Sequence, residues 1–338
     1  MPSANNLAVA ESTSAGVKLP SIPKDKKRKI ICFSDFDGTI FMQDTGHIVF
    51  DAHGCGPSKR QTLDEQIKSG ERSFRDVSEE MWESLNVPFD DGFEVMKAEL
   101  ELDVHFRDFH DYCVRNDIPF NVISAGLKPV LRRVLDTFLG EEASSKIDIV
   151  ANDAEIKPDG SRWKPIWRHD TELGHDKAAS MVEAREQAEL ACDDGTIPLI
   201  VFIGDGVSDL PAANQADVLF ARRGLRLEEY CREKDIAYIA FDTFADIQAK
   251  LEEIAEEDRR ETGGRGVPKR FNPRADLWRR VSSRQAVPLY VVATPREERM
   301  FLWPDVFSEL KTPAVGQTTN PIATPAVVTP GPAVAPLA

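Results

Sequence analysis

No run of this 338-residue chain is apolar for long enough to cross a bilayer, and its first residues hold nothing like the apolar core of a signal peptide. Cysteine is sparse and odd in number, five in all, without the dense spacing of a disulfide framework, which points to a reducing compartment. Cysteines and histidines do not stand at the spacing of zinc ligands, so we expect no zinc at His169 or His175. Positive charge is in the minority: 42 Lys and Arg against 57 Asp and Glu leave a net charge of −15, the wrong sign for gripping a phosphate backbone. The expectation is a soluble intracellular protein, cytoplasmic, with neither nucleic acid nor membrane as partner. The basic run KDKKRK before Ile30 reads first as a solvated tail and only second as a nuclear import signal.

What is present is concentrated in KIICFSDFDGTI. An apolar, strand-like stretch ends in Asp35, with Asp37, Gly38 and Thr39 directly after it. Side chains at i and i+2 of an extended backbone share a face, so Asp35 and Asp37 project together from the carboxyl end of a buried strand. Two carboxylates so close divide their labour, because repulsion protonates one more readily than the other unless a cation lies between them. One can attack and the other can carry a proton.

Three further polar clusters follow strand ends or helix starts. FNVIS delivers Ser124 to a small-residue turn. GHDKAASMVEAREQAEL opens a helix with Asp176 as N-cap and Lys177 in the first turn. IPLIVFIGDGVSD is an apolar strand ending in Asp205, with Asp209 beyond. Singly, each has an ordinary reading as turn, cap or solvated charge. Together they suit a phosphoryl group, whose oxygens need hydroxyl donors and cations around them. Thr39 and Ser124 supply hydroxyls, Lys177 a point charge, and Asp35 with Asp205 the hard oxygens that Mg²⁺ prefers.

The four motifs DFDGT, VISAG, GHDKA and GDGVSD, in that order between about Ile30 and Phe244, resemble those of the haloacid dehalogenase superfamily of phosphohydrolases. The resemblance implies that Asp35 is the nucleophile forming an aspartyl-phosphate and that Asp37 is the general acid and later the base for water. It implies phosphate binding by Thr39, Ser124 and Lys177, and Mg²⁺ held by the Asp35 carboxylate, the Asp37 backbone carbonyl and Asp205. Asp209 would support Lys177 or the metal from behind. The second carboxylate at i+2 argues against a halide leaving group, which needs no proton, and leaves phosphatase and phosphomutase open.

The 84 residues at positions 40–123 exceed what a strand–helix–strand crossover needs. Thr62-Leu-Asp-Glu65 reads as a capping box; Phe74, Val77, Met81 and Leu85 form a helical stripe; Phe93 and Met96 mark another helix, and Phe106, Phe109 and Cys113 one that returns to the core. A helical cap inserted at about 41–105 is expected, with Gln43, Asp44, His47 and Arg75 as its candidate substrate contacts. Pro158-Asp159-Gly160 signals a hairpin at the site rim, carrying Trp163, Trp167 and His169 towards Lys177, although stacking is the stronger reading of the tryptophans. ADVLFAR, IAYIAF and a helix from TFADIQAKLEEIAEE complete a doubly wound, mainly parallel α/β sheet.

The expected organisation is a disordered tail at 1–28, a phosphohydrolase domain at 29–258, and a mostly disordered, proline-rich tail at 259–338. Within that tail EERMFLWPDVFSEL, around Trp303, reads equally as a patch docking on the parent domain or on another protein. Cap size and hairpin resemble the phosphoserine-phosphatase-like branch, which includes methionine-salvage enolase-phosphate phosphatases and fungal polyol- or sugar-phosphate phosphatases. Asp44 stands where phosphoserine phosphatases place a glutamate, and their carboxylate-binding arginine has no match. We therefore expect a Mg²⁺-dependent phosphomonoesterase for a small polyol or sugar phosphate, with a phosphoserine or methionine-salvage phosphatase as the alternative and a phosphomutase or a non-catalytic binding module less favoured.

Overall fold

In the buried strands, neighbouring residues feed two different cores. In β1 (Ile30–Ser34), Ile30 and Cys32 join one apolar cluster while Ile31 and Phe33 join another. This is the period of two expected of a strand covered by helices on both faces. The structure, a computed structural model, describes residues 29–191 and 197–263. The N-terminal tail, nearly all of the basic run and the aromatic patch near Trp303 lie outside the described residues.

Chain order then runs α1 (Thr45–His53), α2 (Gly56–Ser69), α3 (Phe74–Glu83), α4 (Phe89–Glu99), α5 (Phe106–Arg115), β2 (Phe120–Leu127), α6 (Lys128–Leu139) and the single turn α7 (Glu141–Ser144). After these come β3 (Ile147–Ile156), β4 (Trp163–Ile166), α8 (Lys177–Leu190), β5 (Leu199–Gly204), the short α9 (Leu210–Ala213), β6 (Val218–Arg222), α10 (Arg226–Glu233), β7 (Ile239–Phe241) and α11 (Phe244–Thr262). The seven strands form one sheet in the order β4-β3-β2-β1-β5-β6-β7, parallel except for the antiparallel β3–β4 pair at the edge. Helices α5, α6 and α11 bury Phe109, Leu131 and Leu251 on one face, and α8, α9 and α10 bury Met181, Leu210 and Leu227 on the other. The fold is the doubly wound α/β architecture read from the sequence. Its last helix continues to Thr262, past the expected boundary at 258.

Helices α1–α4 sit between two short linkers that pair with each other. Phe41 and Leu102 form an antiparallel bridge, the Met42 N–H donates to the Glu101 carbonyl (2.9 Å), and the Asp103 N–H donates to the Ile40 carbonyl (2.9 Å). The expected capping box at Thr62–Glu65 is not a helix start. Pro57 and the preceding turn begin α2 at Gly56, and Thr62 lies mid-helix with its hydroxyl donating to the Ser58 carbonyl (3.1 Å). Among the inserted helices, one-way side-chain caps occur instead at Asp44 and Ser73, which accept from the His47 and Asp76 N–H groups, and the full capping box forms at Thr243 and Asp246 ahead of α11.

The β3–β4 hairpin forms where Pro158-Asp159-Gly160 places it, but Trp163 turns into the inserted helices instead of following the chain to Lys177. Its buried ring stacks on Trp82 (centroids 6.1 Å apart, 10° between planes), meets Phe89 at 5.5 Å, and donates Nε1–H to the Val87 carbonyl at 2.9 Å. At the hairpin tip only glycine fits: Gly160 has φ +77°, and a Cβ there would lie 2.1 Å from the Val87 carbonyl carbon. Trp163→Ala should cost about 3–5 kcal/mol of stability. Trp163→Phe should cost about 1–2 kcal/mol, because it keeps a ring but strands the Val87 carbonyl. Urea unfolding of the two variants measures both.

Candidate active site

The carboxyl ends of β1, β2 and β5 and the start of α8 converge on one buried cluster. Asp35 follows β1, and its backbone N–H still donates to the Ile203 carbonyl of β5 (2.9 Å), so its direction is set by the sheet. Its two oxygens are both engaged: Oδ1 accepts from the Phe36 N–H at 2.7 Å, and Oδ2 meets Lys177 Nζ at 2.9 Å. Lys177 is the first residue of α8, which Asp176 caps by accepting from the Ala179 N–H (3.0 Å). On its other side Lys177 Nζ lies 2.8 Å from Asp209 Oδ1.

Asp209 stands behind Lys177. Its second oxygen accepts from the backbone N–H groups of Asp205 and Gly206, both at 3.1 Å, closing the GDGVSD turn around it. Asp205 accepts the Thr39 hydroxyl at 2.7 Å, and Gly38 (φ +77°) presses so closely that a Cβ would lie 2.4 Å from Asp205 Oδ2. The DFDGT turn therefore needs its glycine both for backbone handedness and for room.

Asp37 is placed differently. Its Oδ1 accepts from the Thr45 N–H at 2.8 Å, which ties it to the first turn of α1. Ser124 is buried within β2, just after Ile123 where the pairing with β3 becomes irregular, and its hydroxyl accepts from the Gly126 N–H at 3.0 Å.

Electrostatics separate the groups further. Burial, then Asp209, pushes the Asp35 carboxyl well above the usual range against the pull of Lys177. Burial, then Asp44, does the same to Asp37. Burial and Asp209 hold Asp205 up at about 6, with Thr39, Lys177 and Arg222 pulling the other way. Burial disfavours the Lys177 ammonium, but Asp209 and Asp35 outweigh it and hold its pKa above the ordinary value.

Asp35, Asp205 and Asp209 offer carboxylate oxygens within 4.8 Å of one another. Three carboxylates against one ammonium leave a surplus of negative charge in a cleft made of oxygen donors. That donor set fits a hard divalent cation such as Mg²⁺, with Asp209 the least available of the three because it is fully buried and its oxygens take three hydrogen bonds, against two for Asp35.

The other expected contacts fall in two places. Gln43, Asp44 and His47 border one cavity of about 360 Å³ together with Asp51 and Glu99. There Gln43 Oε1 accepts from the Glu101 N–H (2.7 Å) and Asp44 caps α1 through the His47 N–H (2.8 Å). Arg75 lies elsewhere: its Nη1 pairs with Asp170 at 2.7 Å and its guanidinium sits 5.8 Å from the Trp167 ring, bridging α3 to the loop before Lys177.

Sequence reasoning missed what holds that loop. His175 Nδ1 lies 2.6 Å from the Ser124 carbonyl and Nε2 lies 3.0 Å from Ser180 Oγ. Asn152 joins the Ala125 carbonyl (2.8 Å) to the Arg168 N–H (3.0 Å). The signal available was proximity to the lysine motif, since GHDKA carries the histidine two residues before Lys177.

The matched family model, for haloacid dehalogenase-like hydrolases, spans residues 32–214. The chain is 37% identical over 229 residues to the Pdp3-interacting factor 1 of Schizosaccharomyces pombe, covering 68% of this chain and 97% of that protein. It is 36% identical over 227 residues to the polyol phosphate phosphatase PYP1 of Saccharomyces cerevisiae, covering 67% and 94%. Among solved structures, a substrate-bound phosphoserine phosphatase complex shares the fold with a TM-score of 0.51 at 14% identity, covering 66% of this chain and 99% of that one. The chain belongs to the haloacid dehalogenase-like hydrolases. Within them it is a phosphoric monoester hydrolase.

Burial holds the His175 pKa down to about 3 from an ordinary 6.5, so the native state keeps it neutral. Below about pH 6.5 the unfolded chain binds a proton that the folded one refuses, and stability falls with pH until the folded value is reached. Between pH 7.5 and pH 5 this should cost about 2 kcal/mol. Chemical denaturation of the wild type and His175→Gln at the two pH values should show the wild type faring about 2 kcal/mol worse relative to the variant at pH 5 than at pH 7.5, because the upward-shifted Asp35, Asp37 and Asp205 carboxyls, which stabilise the fold as pH falls, titrate alike in both.

Proposed function

We propose that the protein hydrolyses the phosphomonoester of a small polyol or sugar, with Mg²⁺, through a phosphorylated Asp35. The observation that carries this is the placement of one ammonium between Asp35 (2.9 Å) and Asp209 (2.8 Å) in a buried cluster at the strand ends. That pairing orients Asp35 and brings a cation to the place where phosphoryl oxygens must sit.

In the first half-reaction an Asp35 oxygen forms a bond to phosphorus while the ester oxygen departs, taking the proton of Asp37 as it leaves. Asp37, held up by burial and by Asp44, is suited to carry that proton. In the second, the same carboxylate takes a proton from water, which attacks phosphorus and frees Asp35 and inorganic phosphate. Thr39, Ser124 and Lys177 hold the phosphoryl oxygens. Asp35, Asp205 and the Asp37 carbonyl would hold Mg²⁺, which when bound neutralises charge on phosphate and nucleophile alike.

The four inserted helices serve as the cap, excluding bulk water during the first step. We assign the substrate side to the cavity at Gln43, Asp44 and His47, which is bordered by three carboxylates, of which Asp51 is already paired with Arg60 at 2.7 Å. Asp44 and Glu99 make that wall hostile to an anionic leaving group and friendly to hydroxyls. The yeast relative named as a polyol phosphate phosphatase supports the same preference. A cytoplasmic setting belongs to this proposal; no helix among the described residues is long and apolar enough to cross a membrane.

A phosphate-release screen over polyol, sugar and amino-acid phosphates should show kcat/KM at least tenfold higher for a neutral polyol or sugar phosphate than for phosphoserine. A preference for phosphoserine would overturn the substrate assignment. Asp35→Asn should abolish both turnover and acid-stable phosphoenzyme, and near-normal turnover in that variant would show that another group attacks. Chelation should remove activity and Mg²⁺ restore it, whereas Ca²⁺ should inhibit because its looser coordination misplaces the nucleophile.

A further inference from the structure

Arg222 ends β6 one residue beyond the Gly204–Ala221 pair, level with Asp205, and is almost fully buried. The reaction described above makes no use of it. Its Nη2 donates to the Thr39 carbonyl at 2.6 Å and to Asp103 Oδ2 at 2.9 Å, and its Nη1 donates to the Asp242 carbonyl at 2.8 Å. Asp103 is itself fixed, with Oδ1 accepting from the backbone N–H groups of His105 (3.0 Å) and Phe244 (3.2 Å).

Stability alone is a poor reason for such a group. A buried ion pair offsets its desolvation cost only when its geometry is good, and apolar residues of similar volume often serve the fold as well. The location supplies a better reason. Thr39 and Asp103 belong to the two linkers that bracket the inserted helices, and a single guanidinium nitrogen joins them. Thr39 is thereby held at both ends, its carbonyl by Arg222 and its hydroxyl by Asp205.

We propose that Arg222, with Asp103, is a positioning residue for the reaction: it sets where the Asp37–Thr39 turn stands against Asp205. This rests on the phosphohydrolase reading above. The fork geometry matters, because a lysine ammonium on a flexible stem cannot reproduce the planar reach to the Asp242 carbonyl and to the Thr39–Asp103 pair together. Charge alone does not suffice.

The test uses the full chain, Arg222→Lys, and the double variant Arg222→Met with Asp103→Asn, which removes both buried charges at once. Each is measured for melting temperature, for kcat and KM, and for Mg²⁺ affinity by calorimetry without substrate. Arg222→Lys should lower kcat at least tenfold with KM changed less than threefold, and should weaken Mg²⁺ binding at least fivefold. The double variant should regain the wild-type melting temperature while kcat and Mg²⁺ affinity stay depressed, which a purely structural pair would not do. A folded variant with kcat and Mg²⁺ affinity within twofold of wild type overturns the proposal, and so does loss of the fold in both variants. If the wild type releases no phosphate from any ester in the screen, the function reading fails, while calorimetry still decides the role of Arg222.

Discussion

One ammonium group, on Lys177, makes the rest of the site possible. Without it, the carboxylates of Asp35, Asp205 and Asp209, within 4.8 Å of one another, would face each other at the bottom of a cleft with only dipoles to separate them. Breaking a buried pair of this kind by removing one partner typically costs about 3–5 kcal/mol. Lys177 meets Asp35 and Asp209 from the first turn of α8, so the helix cap at Asp176 and the loop that precedes it become part of the electrostatics. His175 serves that loop as a neutral strut, bonded to the Ser124 carbonyl and the Ser180 hydroxyl, and adds no positive charge beside Lys177.

Asp35 and Asp37 are two residues apart and live in different surroundings. Asp35 is fastened to the sheet and to a cation; Asp37 is fastened to the first backbone N–H of α1 and feels Asp44. The carboxylate proposed to carry the proton is therefore attached to the inserted helices and the proposed nucleophile to the core.

Much of this was legible in the sequence. The strands could be read because β1 and β5 are apolar on both faces, a pattern few other structures need, and because carboxylates and small residues stand at their ends. The Ser124, Lys177 and Asp205 clusters were visible for the same reason. What escaped notice depends on distant pairing. Thr62–Glu65 carries the chemistry of a helix cap, yet Pro57 had already started α2, so a local motif lost to a stronger local signal upstream. The cap contacts were read as one group, but Arg75 reaches the loop at Asp170, 95 residues further on. Arg222 stands at a strand end like Asp35 and Asp205, and nothing in VLFARR announces that its partner is Asp103, 119 residues earlier.

The seat of Trp163 has a consequence for how the site admits its ligand. Two linkers alone would make a gate with a single axle along the Phe41–Leu102 pair. The indole wedged between Trp82 and Phe89, with its N–H on Val87, is a third point of attachment off that axle. A body held at three points that do not lie on one line cannot swing freely. Opening must either bend the outer edge of the sheet along with the helices or be confined to the seam where Arg75 meets Asp170, whose exposed ion pair is cheap to remake but where the Arg75 N–H bond to the Glu172 carbonyl (2.8 Å) must part as well.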